Sequence, residues 1–556
     1  HDTDDDIHYD TYVRYEYKGI IHSNVNAGGY DIQYNRGKVI RVCVNKETGK
    51  LSHAWGTVLG GIAVILFGTL ILVACILETI EEIVGLKHCK RLKETGIKVY
   101  GKVDKVYHEA KGIINRVHIC KAMMEKGSVK TTYEFNLAYD SKNHQLAGTM
   151  KATITNCSGD SWNKVVINDW ATTSYYAEKN FPDYAPTDFS NTTITIAGEK
   201  IPVVMQRQNN LTSLEADAKK DIPDGETFVF QTDFVIHIPN FEYRYGYSIK
   251  DGVERVALGN ALPVLALYKN GEWITHSYVS DGESFNSEVA DYDVTFTCPP
   301  EYEVVMTGIP EVVDSTYHCV ENCIRDFTIM LATHHTTYVE DYNGLLITVW
   351  GNSDCAADLP KFAEQTKTMM DFYTKLVGPY PYDSIDICLL DLPAGGMEYA
   401  ELVICNTEQA FETPQALAHE LGHEWFYLSV GNDEFSEPWI DESITSYISI
   451  LYMESLGYDM TDSYVKKEYE KYYDICGSVS AMTDDKYYRM SAYSYGPTFL
   501  RNLNELMGDK AFNAALQEIY NTYIFKQADT QGVLNIFRKH SKKSIEDLIC
   551  RYFKEK

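Results

Sequence analysis

His419 and His423 stand four residues apart in His419-Glu420-Leu421-Gly422-His423. In a helix, positions i and i+4 lie one above the other, so both imidazoles reach a single ion. Glu420 between them projects to a flanking side, where it acts on a water and not on the ion itself. A catalytic zinc needs a third protein ligand and one open coordination position. Glu442 supplies a candidate, nineteen residues beyond His423 in Glu437-Pro438-Trp439-Ile440-Asp441-Glu442. Pro438 suits a helix start, and Ile444 to Leu456 reads as helical, so the Glu442 carboxylate is expected on the first turn of a second helix. The residue types predict one zinc per chain, held by His419, His423 and Glu442, with Glu420 as a general base for hydrolysis.

Further motifs surround this core. They are His419-Glu420-Leu421-Gly422-His423-Glu424-Trp425-Phe426, then Val430-Gly431-Asn432-Asp433, then Glu437 to Glu442. Upstream lie Gly378-Pro379-Tyr380-Pro381-Tyr382 and Gly395-Gly396-Met397-Glu398-Tyr399. On these residues the chain resembles the aminopeptidase N family of gluzincin zinc metallopeptidases, whose catalytic domain is thermolysin-like. The likeness extends over roughly residues 130 to 556, with the β-rich stretch similar to the family's saddle-shaped N-terminal domain.

The resemblance implies peptide substrates and assigns roles. Glu398 would bind the free α-amino group, and the backbone of Gly395, Gly396 and Met397 would pair with the substrate as an added strand. Tyr493 matches the family's tyrosine that donates to the tetrahedral oxyanion, with Tyr495 as the alternative. Asn432 and Asp441 are either supports of the metal ligands or plain loop and helix-start residues. Three departures stand out. Gly396 and Tyr399 replace the alanine and asparagine of the family's motif. The proline- and acid-containing motif that supplies a second amine anchor has no clear counterpart. The helical domain that roofs the cleft in the family is missing after Lys554, which predicts a more open cleft. Besides an aminopeptidase, a thermolysin-like endopeptidase and a non-catalytic peptide-binding scaffold are therefore alternatives.

The elements that must position these groups follow from patterning. The predicted class is multidomain α+β. An acidic start and small β module cover 1–54, a transmembrane helix 55–78, a connecting segment 79–129, a β-rich saddle or sandwich domain 130–345 and a mainly helical peptidase domain 346–556. Trp55 to Leu77 carries no charged residue, and at 1.5 Å per residue it is long enough for a bilayer core of about 30 Å. This predicts a single-pass membrane protein with lipid as a partner. Lys and Arg flank the run on both sides, so the side occupied by the peptidase domain is open. Alternating strands such as Phe228 to Ile238 mark the β-rich domain, and Lys361 to Leu376 is a helix ending before Gly378-Pro379. Ile385 to Asp391 is the clearest strand near the site.

A net charge of -29, from 79 acidic and 50 basic residues, argues against a nucleic-acid partner. The 13 cysteines are scattered without the spacing of a disulfide scaffold. The oligomeric state is open.

Overall fold

The computed structural model describes residues 129–173, 185–279, 282–466, 474–482 and 485–553, together with short backbone strands between Tyr9 and Tyr100. The chain divides into two compact units, His1–Asn115 and Arg116–Lys556. In the first, Tyr9–Tyr12, Gly29–Gln33 and Val99–Tyr100 pair antiparallel with Val39–Val44 or its neighbours, and Tyr15–Tyr17 pairs with Ile20–His22.

No helix among the described residues is long and apolar enough to cross a membrane. This corrects the single-pass membrane localisation expected from 55–78, a segment that itself lies outside the described residues. Length and lack of charge are conditions for a span but do not make one. The longest described helix, Leu359–Leu376, has 18 residues and carries Lys361, Glu364, Lys367, Asp371 and Lys375.

The second unit begins with an eight-stranded sheet whose strands run from Val129–Asp140 to Thr316–Ile324 in sequence. Thr227–His237 shows why it forms, since its side chains alternate between buried and half-exposed along the whole strand. Phe228, Phe230 and Phe234 pack with Phe135, Met150, Val294 and Phe296 on the inner face. The pairing is antiparallel except where Ala290–Thr297 runs parallel to Val129–Asp140. Asn270 and Gly271 both take positive φ and close the hairpin between Leu267–Lys269 and Glu272–Ile274.

A five-stranded mixed sheet follows, in the order His335–Tyr342, Leu345–Asn352, Ser384–Leu390, Leu402–Asn406, Gly396–Tyr399. Ser384–Leu390 is buried on both faces, which fits its mainly apolar sequence. The helix Leu359–Leu376 connects two parallel strands of this sheet. It starts two residues before the expected Lys361 because Pro360 is tolerated in a first turn, where no N–H is needed. Its buried positions Leu359, Phe362, Ala363, Thr366, Met370 and Tyr373 follow helical spacing, and the Tyr373 hydroxyl donates to the Ala418 carbonyl at 2.5 Å. On another side of the sheet, Trp350, Cys388, Met397, Tyr399 and Ile404 pack with Ala257, Val305 and Met330 from the β-rich part. The edge strand Gly396–Tyr399 is thereby fixed from within.

Arg325 joins the β-rich part to the helical part. It is 1% exposed and donates to the carbonyls of Tyr427 (2.7 Å), Ser287 (2.5 Å) and Lys526 (2.9 Å). A β-carbon at Gly431 would strike its guanidinium. A buried charge with three good acceptors is stabilising only while all of them remain. Arg325→Ala is expected to cost about 3–5 kcal/mol, since it removes three hydrogen bonds at once, although the Ser287 carbonyl keeps a side-chain donor, Gln527 Nε2; urea denaturation against wild type measures this.

Candidate active site

The helix Gln415–Gly422 carries His419 and Glu420, and His423 caps its end. Leu417, Ala418 and Leu421 bury one face. Gly422 permits a close approach to the helix Ile444–Ser455, for a β-carbon there would sit 2.8 Å from Thr445 Cγ2. This approach brings the second set of residues to the first. The Nε2 atoms of His419 and His423 lie 3.1 Å apart. Glu442 Oε2 is 3.2 Å from the first and 3.5 Å from the second.

Glu442 does not sit on the first turn of an ordinary α-helix, as its spacing from Pro438 suggested. It lies on a widened π-helical turn, Trp439–Ser443, that leads into Ile444–Ser455. The extra residue of such a turn re-aims side chains and recurs at functional sites. A second widened turn, Ser491–Tyr495, packs against it. Ser443 Oγ donates to the Ala492 carbonyl at 2.8 Å, and a β-carbon at Gly496 would strike that same hydroxyl. Glycine at 496 is what lets the two turns meet.

The chemistry of the three side chains fits a zinc ion. One donor atom from each of His419, His423 and Glu442 lies within 4.8 Å of the others, and Glu442 Oε2 is buried without a hydrogen bond. Burial opposes ionisation of Glu442, yet the two imidazoles overcome it and hold the carboxyl well below the usual carboxylate range. Two imidazole nitrogens and one carboxylate form the His₂Glu donor set of catalytic zinc.

The imidazoles are oriented from behind by a main-chain carbonyl and two hydroxyls. His423 Nδ1 lies 3.1 Å from the Phe426 carbonyl and 3.5 Å from Thr445 Oγ1, while His419 Nδ1 is 3.5 Å from Ser446 Oγ. Asn432 instead turns its amide to the Glu437 carbonyl at 3.3 Å. Asp441 is fully buried, and burial followed by the Glu442 charge raises its pKa far above the usual value. Nothing in the sequence distinguished Thr445 and Ser446, because serine and threonine are common in buried helices.

Glu420 and Glu398 line the same cleft, of 1290 Å³, as the three candidate ligands. Burial, then the nearby Glu398 charge, pushes Glu420 well above its ordinary pKa. Its carboxylate occupies the space that a β-carbon at Gly396 would need. Glu398 and Met397 belong to the edge strand Gly396–Tyr399, which pairs antiparallel with Leu402–Asn406, while the Gly395 carbonyl accepts from Asn406 N at 2.8 Å. Tyr493 lines the cleft and donates to Glu442 Oε1 at 2.5 Å. Tyr495 is 1% exposed and packs in the core. Of the two tyrosines, the geometry therefore puts Tyr493 beside the ligands.

Several cleft residues carried no signal in the sequence. Tyr488 approaches Glu442 Oε1 at 3.4 Å. Arg244 and Glu283 reach the cleft from the β-rich part as a bidentate ion pair. They lie more than a hundred residues upstream of the zinc motif, and only the folded chain brings them to it.

Residues 361–552 match the Peptidase family M1 domain. Among similar proteins, Aminopeptidase M1 of Arabidopsis thaliana is 25% identical over 247 residues, 39% of this chain and 28% of its own length. Aminopeptidase M1-B of Oryza sativa subsp. japonica is 23% identical over 201 residues, 32% of this chain and 23% of its own. The chain thus spans about a quarter of the length of these curated relatives. An M1 zinc metallopeptidase from Deinococcus radiodurans superposes with a TM-score of 0.57 at 15% identity, covering 76% of this chain and 93% of that one, and so shares its fold. Residues 361–552, which hold His419, His423 and Glu442 on two packed helical segments, are thus the part of the chain that is similar to the M1 peptidase domain.

Proposed function

We propose that the chain is an aminopeptidase that removes N-terminal residues from peptides. The observation that carries this reading is the placement of a second carboxylate, Glu398, in the cleft that holds Glu420 and the His419–His423–Glu442 set. A zinc ion bound by these three ligands would supply Lewis-acid polarisation of the scissile carbonyl and of a water. Glu420 takes the water's proton and returns it to the leaving amine. Glu398 binds the substrate ammonium, and that contact sets the scissile bond one residue from the free end. The open backbone edge of the Gly395–Met397 stretch aligns the peptide as an additional strand. Tyr493, whose hydroxyl rests on Glu442, donates a hydrogen bond to the developing oxyanion. Asp441 and Asn432 support the turn that carries Glu442. The comparisons are consistent with this reading, since the relatives named above are called aminopeptidases.

Hydrolysis of aminoacyl reporter substrates tests the proposal. Glu420→Gln is expected to keep stoichiometric zinc and to lose roughly 10²–10⁴-fold in kcat; undiminished turnover removes Glu420 from the mechanism. Glu442→Gln is expected to lower zinc affinity, read by metal analysis after dialysis against a graded chelator, because the neutral amide withdraws the one anionic ligand. Tyr493→Phe is expected to reduce kcat by about 10²-fold with little change in KM. N-acetylated peptides should not be cleaved. Equal rates on blocked and free peptides would instead establish an endopeptidase.

A further inference from the structure

The Arg244–Glu283 pair is a built feature of the cleft wall. Arg244 Nη2 donates to Glu283 Oε1 at 2.8 Å, and Nη1 donates to Oε2. The two side chains are 13% and 10% exposed. The guanidinium lies 5.1 Å from the centre of the Tyr243 ring and 5.4 Å from that of Phe285, and Nη2 also meets the Tyr243 hydroxyl at 3.2 Å. A planar cation held by a fork of hydrogen bonds and two aromatic faces has little freedom to swing away.

Its backbone is tied to a departure from the family motif. The Arg244 carbonyl accepts from Gly259 N at 2.9 Å, and Gly259 lacks the β-carbon that would strike the Tyr399 hydroxyl. Tyr399 is the residue that stands in place of the motif's asparagine. The large ring at 399, the glycine at 259 and the arginine at 244 therefore occupy one connected region.

Against Arg244 and Arg489 the cleft collects a larger number of acidic groups, for Glu283, Glu398, Glu412, Glu420 and Glu442 all line it. Such a cavity attracts any cation without regard to where the cation sits on the peptide. Every free peptide brings an ammonium, so selectivity among first side chains requires the surplus charge to be confined to the carboxylate that binds the amine.

We propose that Arg244 determines the charge preference of the side-chain subsite beside Glu398: by clamping Glu283 in a bidentate ion pair it neutralises that wall and disfavours lysine- and arginine-ended peptides relative to neutral and acidic ones. The inference rests on the aminopeptidase reading given above. Removing the arginine withdraws the cation that favours ionisation of Glu283, while burial and the Glu398 and Glu442 charges oppose it, so the freed carboxylate welcomes a basic side chain and repels an acidic one only on the alkaline side of neutrality. Removing the glutamate leaves the opposite sign behind. A unit charge about 8 Å from a substrate charge, at an effective dielectric near 20 and partly screened, changes relative affinity by roughly tenfold.

The test uses the zinc-loaded chain and lysyl, alanyl and glutamyl aminocoumarin reporters, with thermal melts run on each variant. The readout is kcat/KM for the lysyl substrate divided by that for the glutamyl substrate. Glu283→Gln is expected to lower this ratio about tenfold, mainly through KM, and Arg244→Gln to raise it about tenfold as the assay pH is taken above neutrality and the freed carboxyl ionises. The double variant should return to within about threefold of wild type. Because the two single variants move in opposite directions, one that fails to fold leaves the other decisive. An unmoved ratio, or two shifts of the same sign, overturns the inference while leaving the aminopeptidase reading in place. A wild type that cleaves none of the three reporters overturns both.

Discussion

The site rests on convergence of three donor atoms from two helical segments around a point where a buried carboxylate would otherwise be uncompensated. Glu442 is almost wholly buried, and an isolated charge in such a place is far too costly to persist. Its neighbours answer that cost in layers: His419 and His423 face one oxygen, and Tyr493 donates to the other. The packing around it follows from this demand. Gly422 draws the two helices together, Gly496 lets the two widened turns touch, and the turn at Trp439–Ser443 swings Glu442 toward the imidazoles.

The same electrostatic problem recurs on a larger scale. The chain is strongly acidic as a whole, and the region under the cleft gathers further buried acids. Burial raises Asp326 to about 7, and it raises Glu424, Glu434 and Asp441 well above their ordinary range. Against this stand two buried arginines with different duties. Arg325 gives its hydrogen bonds to main-chain carbonyls and holds the β-rich and helical parts together. Arg244 gives its own to a side chain on the cleft wall and shapes the field that a substrate meets.

Much of the centre was legible from spacing alone. Three residues between two histidines, a glutamate beside the first and a second acid at the start of another helix impose a geometry that few backbones satisfy, and His419, His423 and Glu442 do meet. Periodicity likewise located the helix near Lys361–Leu376 and the strand near Ile385–Asp391, with errors of one or two residues at the ends. What failed was an inference from composition: an uncharged run at 55–77 was read as a membrane span, and no described helix has that character. Apolarity and length report what a segment tolerates, and its surroundings decide where it lies.

The sequence by itself singled out the candidate zinc donors and the candidate base, because that chemistry depends on residue type and on local spacing along a helix. Only the tertiary structure decided which groups orient those donors, which of Tyr493 and Tyr495 faces the cleft, and that Arg244 and Glu283 belong to the same cavity. Those choices turn on widened turns, on the missing β-carbons of Gly422, Gly496 and Gly259, and on contacts between residues more than a hundred positions apart. Pattern along a chain carries information over a few helical turns, whereas the field and shape of a cleft are set by whatever packing brings to it from elsewhere.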